Sequence, residues 1–329
     1  MKPRLIEAAG SLQSELIESI DNAKHDLYLE TMSIDSTGDM KPLIRSLRKA
    51  ALRGVNTQLV FDRYSFFDCL VKQGLDSTLQ LREDLTNLKK DGVQIRPIGD
   101  IRLNPFSGRH HIKTYVADDL VFTGGGANLT HDTFATKDFM LRYENRPLSQ
   151  QMPGWLLKTL GSRRDSFLVV DDDNTFIIDG GRKGASHIYD TAVRIAKDAD
   201  TILVSSKMIP DGELATIAQT RPVSTFLYNR RELVKTFNWL ALEMNAAMMG
   251  EELPLNSYIG NLQLHAKFCA TLTSNGLSNV LTGSHNFNRL GVDFGTRELV
   301  LYSKDREVFE LIDAFAQSVT AERRKCTPV

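Results

Sequence analysis

With 329 residues the chain is long enough for two modules of about 150 residues, each with its own core. A hydrophobic share of 42%, a charged share of 25% and a formal net charge of −1 exclude a global field that would draw the chain to nucleic acid or anionic lipid, so any basic patch must be local. Three cysteines (Cys69, Cys269, Cys326) without metal-ligand spacing exclude a disulfide framework and fit a reduced, cytoplasmic setting. No signal-peptide core follows Met1-Lys2-Pro3-Arg4, and no run of about 18 apolar residues is present to span a bilayer, so membrane contact is expected to be peripheral at most.

In chain order, Leu12, Leu16, Ile20 and Ala23 recur on one helical face, and residues 27–32 then read as a strand. Ser36-Thr37-Gly38-Asp39 turns into a helix carrying Leu43, Leu47 and Ala51, which Gly54 stops. Residues 55–61 form a second strand with Asp62-Arg63-Tyr64 at its end. A helix with Leu81, Leu85 and Leu88 and a strand over 93–98 follow. This alternation predicts an α/β fold with mixed, largely parallel sheets flanked by helices. Residues 111–117 read as a strand, Asp118-Asp119 as a tight turn and 120–123 as the return strand. In such a strand His111 and Lys113 share a face.

A polar, proline-containing stretch over 145–165 divides the chain into halves at 1–160 and 161–329. The second half opens on a hairpin turning at Asp171-Asp172-Asp173-Asn174. The aspartate run fails as a calcium loop, because Phe176 and Arg182 stand where Gly and Glu are needed. The stretch from Ala196 to Val204 echoes that from Ala23 to Leu29, and Phe226-Leu227-Tyr228-Asn229-Arg230 echoes Leu59-Val60-Phe61-Asp62-Arg63. Val308, Leu311, Ile312, Phe315 and Val319 give a closing amphipathic helix. The chain thus reads as a duplicated α/β unit, two similar halves packed about a pseudo-twofold axis. The Met- and Trp-rich stretch 237–249 reads as a core or interdomain helix, with a lipid-facing helix as the alternative.

The chemistry is also written twice. His111-Ile112-Lys113 and His265-Ala266-Lys267 are each followed by a glycine turn ending in asparagine, Gly125-Gly126-Ala127-Asn128 and Gly283-Ser284-His285-Asn286. An acid then follows in Thr136-Lys137-Asp138 and Thr296-Arg297-Glu298. Two such sets at one interface can handle a phosphate. One imidazole attacks phosphorus to form phosphohistidine, and the other protonates the leaving alcohol. Lys113, Lys267, Asn128 and Asn286 hold the non-bridging oxygens, while Asp138 and Glu298 fix the imidazole tautomers. The cationic side chains supply the charge a metal supplies elsewhere, so no metal or cofactor is required. Arg63 and Arg230, at equivalent strand ends, are candidates for an anionic head group, and Gly126 and Ser284 for substrate contact.

These motifs resemble the phospholipase D superfamily pattern H-x-K-x4-D followed by G-S/G-x-N. His111, Lys113 and Asp118 match it in full, and the surrounding residues are similar to bacterial cardiolipin synthases. The second half matches at His265, Lys267, Ser284 and Asn286 but has Leu272 at the aspartate position. Gly126 replaces the usual serine, and Asp138 stands where glutamate is common. The resemblance implies a supporting role for Asp118, with His111 as nucleophile and His265 as acid/base. It implies phospholipase D or cardiolipin-synthase-like phosphatidyl transfer on a glycerophospholipid. The alternatives are a nuclease or phosphodiesterase of the same superfamily, and an inactive lipid- or nucleic-acid-binding scaffold.

Overall fold

The computed structural model describes residues 2–99, 107–221, 223–233 and 254–321; the apolar stretch 237–249 lies outside them. The first half runs β1 (Arg4–Glu7), α1 (Gln13–Asn22), β2 (Asp26–Thr31), α2 (Lys41–Leu52), β3 (Asn56–Asp62), α3 (Tyr64–Gln73), α4 (Leu75–Lys90), β4 (Gln94–Ile98), β5 (Thr114–Ala117), β6 (Leu120–Thr123), β7 (Phe139–Glu144) and α5 (Arg146–Thr159). The second runs β8 (Ser166–Val169), β9 (Asn174–Asp179), α6 (His187–Lys197), β10 (Thr201–Ser205), α7 (Gly212–Gln219), β11 (Val223–Leu227), β12 (Phe268–Leu272), β13 (Ser278–Gly283), a short helix Arg289–Phe294, β14 (Glu298–Ser303) and a closing helix Arg306–Ala321.

Local chemistry sets the helix ends. The Asn145 side chain accepts the Leu148 N–H to start α5, and Ser186 accepts that of Tyr189 to start α6. After α2, Gly54 takes φ +89°, which a side chain would strain, and turns the chain into β3. The buried face of α2 carries Leu43 and Leu47, as the spacing predicts, together with Ile44 and Ala50, while Ala51 is only partly buried.

Each half forms a seven-stranded sheet, in the orders β1-β7-β6-β5-β2-β3-β4 and β11-β10-β12-β13-β14-β9-β8. Read in opposite directions the two orders coincide over six strands, which is the duplication in three dimensions. The sheets are mixed, but parallel pairing is confined to β2-β3-β4 and β10-β11; every other pair is antiparallel. The expected largely parallel sheet is therefore corrected. Helical crossovers between neighbouring strands join only β2 to β3 to β4 and β10 to β11 among the described residues. From β5 to β7 and β12 to β14 the chain returns by connections without a long helix, and a return by a tight turn is antiparallel by construction.

One hydrophobic cluster lies between the two halves and one on the outer side of each sheet. The shared cluster joins Phe139 of β7, Phe268 of β12 and Phe315 of the closing helix, with ring centroids 4.9 Å apart for Phe139–Phe315 and 6.4 Å for the other two pairs. Leu148, Met152 and Leu156 of α5 complete it, so α5 and the closing helix pack in equivalent places. This seam fixes the halves relative to each other and brings both His-Lys elements to one place.

Asp118 sits away from that place. It occupies the β5–β6 turn at φ +49°, and its carboxylate accepts the backbone N–H groups of Lys24 (2.8 Å), His25 (2.9 Å) and Asp26 (3.0 Å). Burial acts to raise its pKa, but these amides outweigh burial and hold the carboxyl below its usual range. The second half solves the same problem from the opposite strand, where Asp200 accepts the Ser274 N–H at 2.6 Å beside Leu272. Asp118→Ala is expected to lower stability by about 1–2 kcal/mol in urea unfolding, through lost amide partners, with kcat unaffected. A large kcat loss in a stably folded variant would overturn this placement.

Candidate active site

The backbone around each His-Lys element is paired with the opposite half. His110 bridges Arg297, with His111 N–H donating to Arg297 O (2.9 Å) and Arg297 N–H to Arg109 O (2.8 Å). Across the pseudo-twofold axis, Lys137 bridges Leu264: Lys137 N–H donates to Gln263 O (2.9 Å), and the N–H groups of His265 (2.8 Å) and Ala266 (3.0 Å) donate to Lys137 O. Residues 111–113 are thus not in a sheet strand as expected; β5 begins at Thr114, and the His111 N–H is taken by the other half. The alternation survives: Ile112, Leu264 and Ala266 point into the shared core, and the His and Lys side chains point the other way.

This crossing decides which acid serves which imidazole. The residue after Arg297 is Glu298, whose carboxylate meets His111 Nδ1 at 2.9 and 3.0 Å. The residue after Lys137 is Asp138, whose Oδ2 meets His265 Nδ1 at 2.6 Å. Each half's acid therefore orients the other half's histidine. With Nδ1 engaged, Nε2 is the nitrogen left for chemistry on each ring.

Lys113 and Lys267 are 1% and 0% exposed. Lys113 Nζ donates to His111 O at 2.6 Å, and Lys267 Nζ donates to His265 O. The two glycine turns support the acids in different ways. Ser284 donates its hydroxyl to Glu298 and accepts the Leu299 N–H at 2.9 Å. At Gly126 a Cβ would lie 2.8 Å from Asp138 Oδ2 and 2.9 Å from Lys267 Nζ, so the shorter acid is matched with a missing side chain. Ser284 and Gly126, expected as substrate contacts, are thus committed to the acid–histidine pairs. Asn128 Oδ1 accepts from Thr31 Oγ1 and Ser33 N (both 3.3 Å), whereas Asn286 Oδ1 is buried without a partner in the described residues.

Arg63 and Arg230 are exposed and donate to carbonyls of their own halves, Gly99 O (3.4 Å) and Gly260 O (3.4 Å). Neither hydrogen-bonds a His-Lys element among the described residues. Their predecessors bond the residue just before each element. Asp62 accepts the His110 N–H (2.7 Å) and Arg109 Nη1 (3.0 Å). Asn229 accepts the Leu264 N–H (2.7 Å) and donates to Leu264 O (2.6 Å). The sequence echo around Asp62-Arg63 and Asn229-Arg230 carried this signal, one residue earlier than the arginines it was read for; strand alternation puts neighbours on opposite faces. His110 is buried against Glu30, which also takes the Tyr28 hydroxyl, and His285 is buried with Nδ1 accepting the Phe287 N–H at 2.8 Å.

Lys207, unremarked in the sequence, follows β10 and enters the same field. Burial pushes Lys207 down to about 7, with Lys72 and Lys267 adding to the shift. Lys267 falls to about 8 by burial, against the pull of Asp138 and Glu298. His111 and His265 are held well below the usual imidazole value, by burial first and then by the surrounding lysines. Burial raises Asp138 and Glu298, opposed by those same lysines. Burial also pushes Lys113 well down. The free site is thus a buried cluster of two neutral imidazoles and lysines whose charge burial penalises, an environment in which a bound anion would favour the charged ammonium groups.

Two halves that lend each other an acid across a shared seam define a duplicated α/β protein with one composite cluster of histidines, lysines and carboxylates. Residues 16–159 match the family model described as cardiolipin synthase, PLD-like domain, which bears out the phospholipase D resemblance carried by the motifs. The fold is similar to that of phosphatidylserine synthase from Haemophilus influenzae Rd KW20, at 10% identity and a TM-score of 0.71, covering 97% of this chain and 86% of that one. It is also similar to polyphosphate kinase from Porphyromonas gingivalis, at 12% identity and a TM-score of 0.60; this chain is covered to 96% and spans 50% of the kinase. Nuc from Salmonella typhimurium, a phospholipase D family member, matches at 19% identity over 46% of this chain and 88% of its own, with a TM-score of 0.36. No curated protein matches.

Proposed function

We propose that the chain cleaves or transfers a phosphodiester through a phosphohistidine intermediate, with halves divided near residue 160 and the active site in the seam. The observation that carries this reading is the crossed pairing of His111 with Glu298 and His265 with Asp138 around buried Lys113 and Lys267. His111 Nε2 attacks phosphorus, forming a P–N bond as the P–O bond to the leaving alcohol breaks, and that oxygen takes the proton from His265 Nε2. Water or a second alcohol then gives its proton to His265 and attacks phosphorus, and the P–N bond breaks. Lys113, Lys267, Asn128 and Asn286 take the non-bridging oxygens. The substrate's negative charge offsets the lysines and lets His265 carry its proton.

The substrate is a glycerophospholipid, hydrolysed or transferred as in cardiolipin synthesis, a reading supported by the family match over residues 16–159. No described helix is long and apolar enough to cross a membrane, so lipid contact is peripheral in this proposal. Phosphatidylglycerol vesicles are expected to yield phosphatidic acid or cardiolipin, with EDTA present or absent. Lys267, lowered to about 8, is charged below that pH and neutral above it, so kcat/KM falls as pH rises through about 8. His111, already neutral, adds no acid limb near the usual imidazole value, whereas His265, neutral in the free site, must take up its proton with the substrate and so adds to the fall as pH rises. No lipid product, with cleavage of single- or double-stranded DNA instead, would replace the lipid by nucleic acid; turnover of neither would sink the enzymatic reading.

A further inference from the structure

The two halves share one register. Leu27 pairs with Ala117 and Ile202 with Thr271, and these partners stand at equivalent places after His111 and His265. On that register Thr31 matches Ser206, and both hydroxyls tie to the motif asparagines: Thr31 to Asn128 Oδ1 (3.3 Å) and Ser206 to Asn286 O (2.6 Å). The next residues, Met32 and Lys207, are therefore mirror positions flanking the histidines. A thioether stands on one flank and an ammonium on the other.

Lys207 is held in place. Its carbonyl accepts Asn229 Nδ2 at 3.0 Å, and the following Met208 N–H donates to Ser206 Oγ at 3.1 Å. Asn229 also pairs with Leu264, the residue before His265, and Ser206 holds Asn286, so the Lys207 backbone is tied to both motif segments at the edge of the proposed phosphate position. Its charge is felt by His111, His265 and Lys113. On its other side lie Lys72 and Asp68 of α3, and Asp132. Lys72 pairs there with both Asp68 (3.0 Å) and Asp132 (3.6 Å), so these carboxylates are engaged by Lys72 and neither bonds Lys207. The Lys207 ammonium makes no hydrogen bond or ion pair with any described residue, although the residue is half-buried. A half-buried cation with no partner among the described residues, at the edge of such a cluster, is free to meet the counter-charge of a ligand.

We infer that Lys207 receives a second anionic group of the substrate, flanking the scissile phosphate, and that Met32 puts no cation at the mirror position. The inference rests on the phosphodiester reading and deepens it. A nearly twofold site becomes directional: the substrate binds with its second anion, a phosphate or carboxylate, toward Lys207.

Calorimetric binding of inorganic pyrophosphate and of inorganic phosphate, at about pH 6 where Lys207 is charged, tests this in the full chain without needing turnover. Pyrophosphate is expected to bind more tightly than phosphate. Lys207→Met, which copies the mirror residue, is expected to cut that preference by about 10- to 100-fold, and Lys207→Arg to keep most of it. The preference should also fade in wild type as pH rises through about 7, where Lys207 loses its proton. Equal weakening of both ligands by Lys207→Met would overturn the inference by placing Lys207 on the scissile phosphate. An unchanged preference would overturn it by removing Lys207 from the site. Turnover of bis(p-nitrophenyl) phosphate, and its loss in His111→Ala, tests the phosphodiester reading separately.

Discussion

Replacing either His111 or His265 with alanine is expected to lower kcat for phosphodiester turnover by roughly ten-thousand-fold or more, and the double replacement should add little, because the two rings act as one unit. The singles differ in what they accumulate. With bis(p-nitrophenyl) phosphate, whose leaving group departs without much protonation, His265→Ala should still form the P–N bond and then stall. Nothing remains to take the proton from the attacking water. His111→Ala should form no phosphoenzyme at all. Rapid quench at alkaline pH followed by mass spectrometry reads this directly. Phosphohistidine in His111→Ala would reverse the two roles, and wild-type-like turnover in either variant would sink the two-histidine mechanism. Both side chains sit on segments pinned by backbone hydrogen bonds to the opposite half, so thermal unfolding should remain close to wild type.

The duplication, the paired His-Lys elements, the asparagine turns and the trailing acids were legible in the sequence because each is a local pattern said twice. The crossing was not. A sequence places Asp138 after His111 and Glu298 after His265, and nothing local says that each serves the other ring. That follows from the parallel bridges between His110 and Arg297 and between Lys137 and Leu264, contacts between residues far apart in the chain. The same bridges explain why 111–113 read as strand yet stand outside the sheet. Asp118 matched a motif letter, but its carboxylate is spent on three amides at the far end of β5. The sheet direction was misread from the early β2-α2-β3 alternation, which stops after β4. Lys207 left no mark at all, since its meaning lies in a comparison with Met32 that only the strand register makes possible.

The crossed acids make a second strong prediction. Asp138→Asn is a change in the first half, yet its damage is expected at His265 in the second. Aspartate accepts the Nδ1–H and leaves Nε2 to exchange the proton, whereas an amide N–H turned toward Nδ1 favours the wrong tautomer. A loss of roughly hundred- to ten-thousand-fold in kcat is expected, the range seen when such an orienting group is neutralised. The signature is the leaving group. With His265 as the acid, Asp138→Asn should slow the P–N-forming step, read as a burst, far more for alkyl esters, whose alkoxides need a proton, than for p-nitrophenyl esters, while the later hydrolysis is slowed for both. Glu298→Gln acts through His111 on the attack itself and should slow both classes alike. In a double-mutant cycle, Asp138→Asn should be nearly silent in the His265→Ala background and fully felt beside Glu298→Gln. If Asp138→Asn instead matched His111→Ala in its leaving-group dependence, each acid would serve the histidine of its own half, and the crossed seam would have no part in the chemistry.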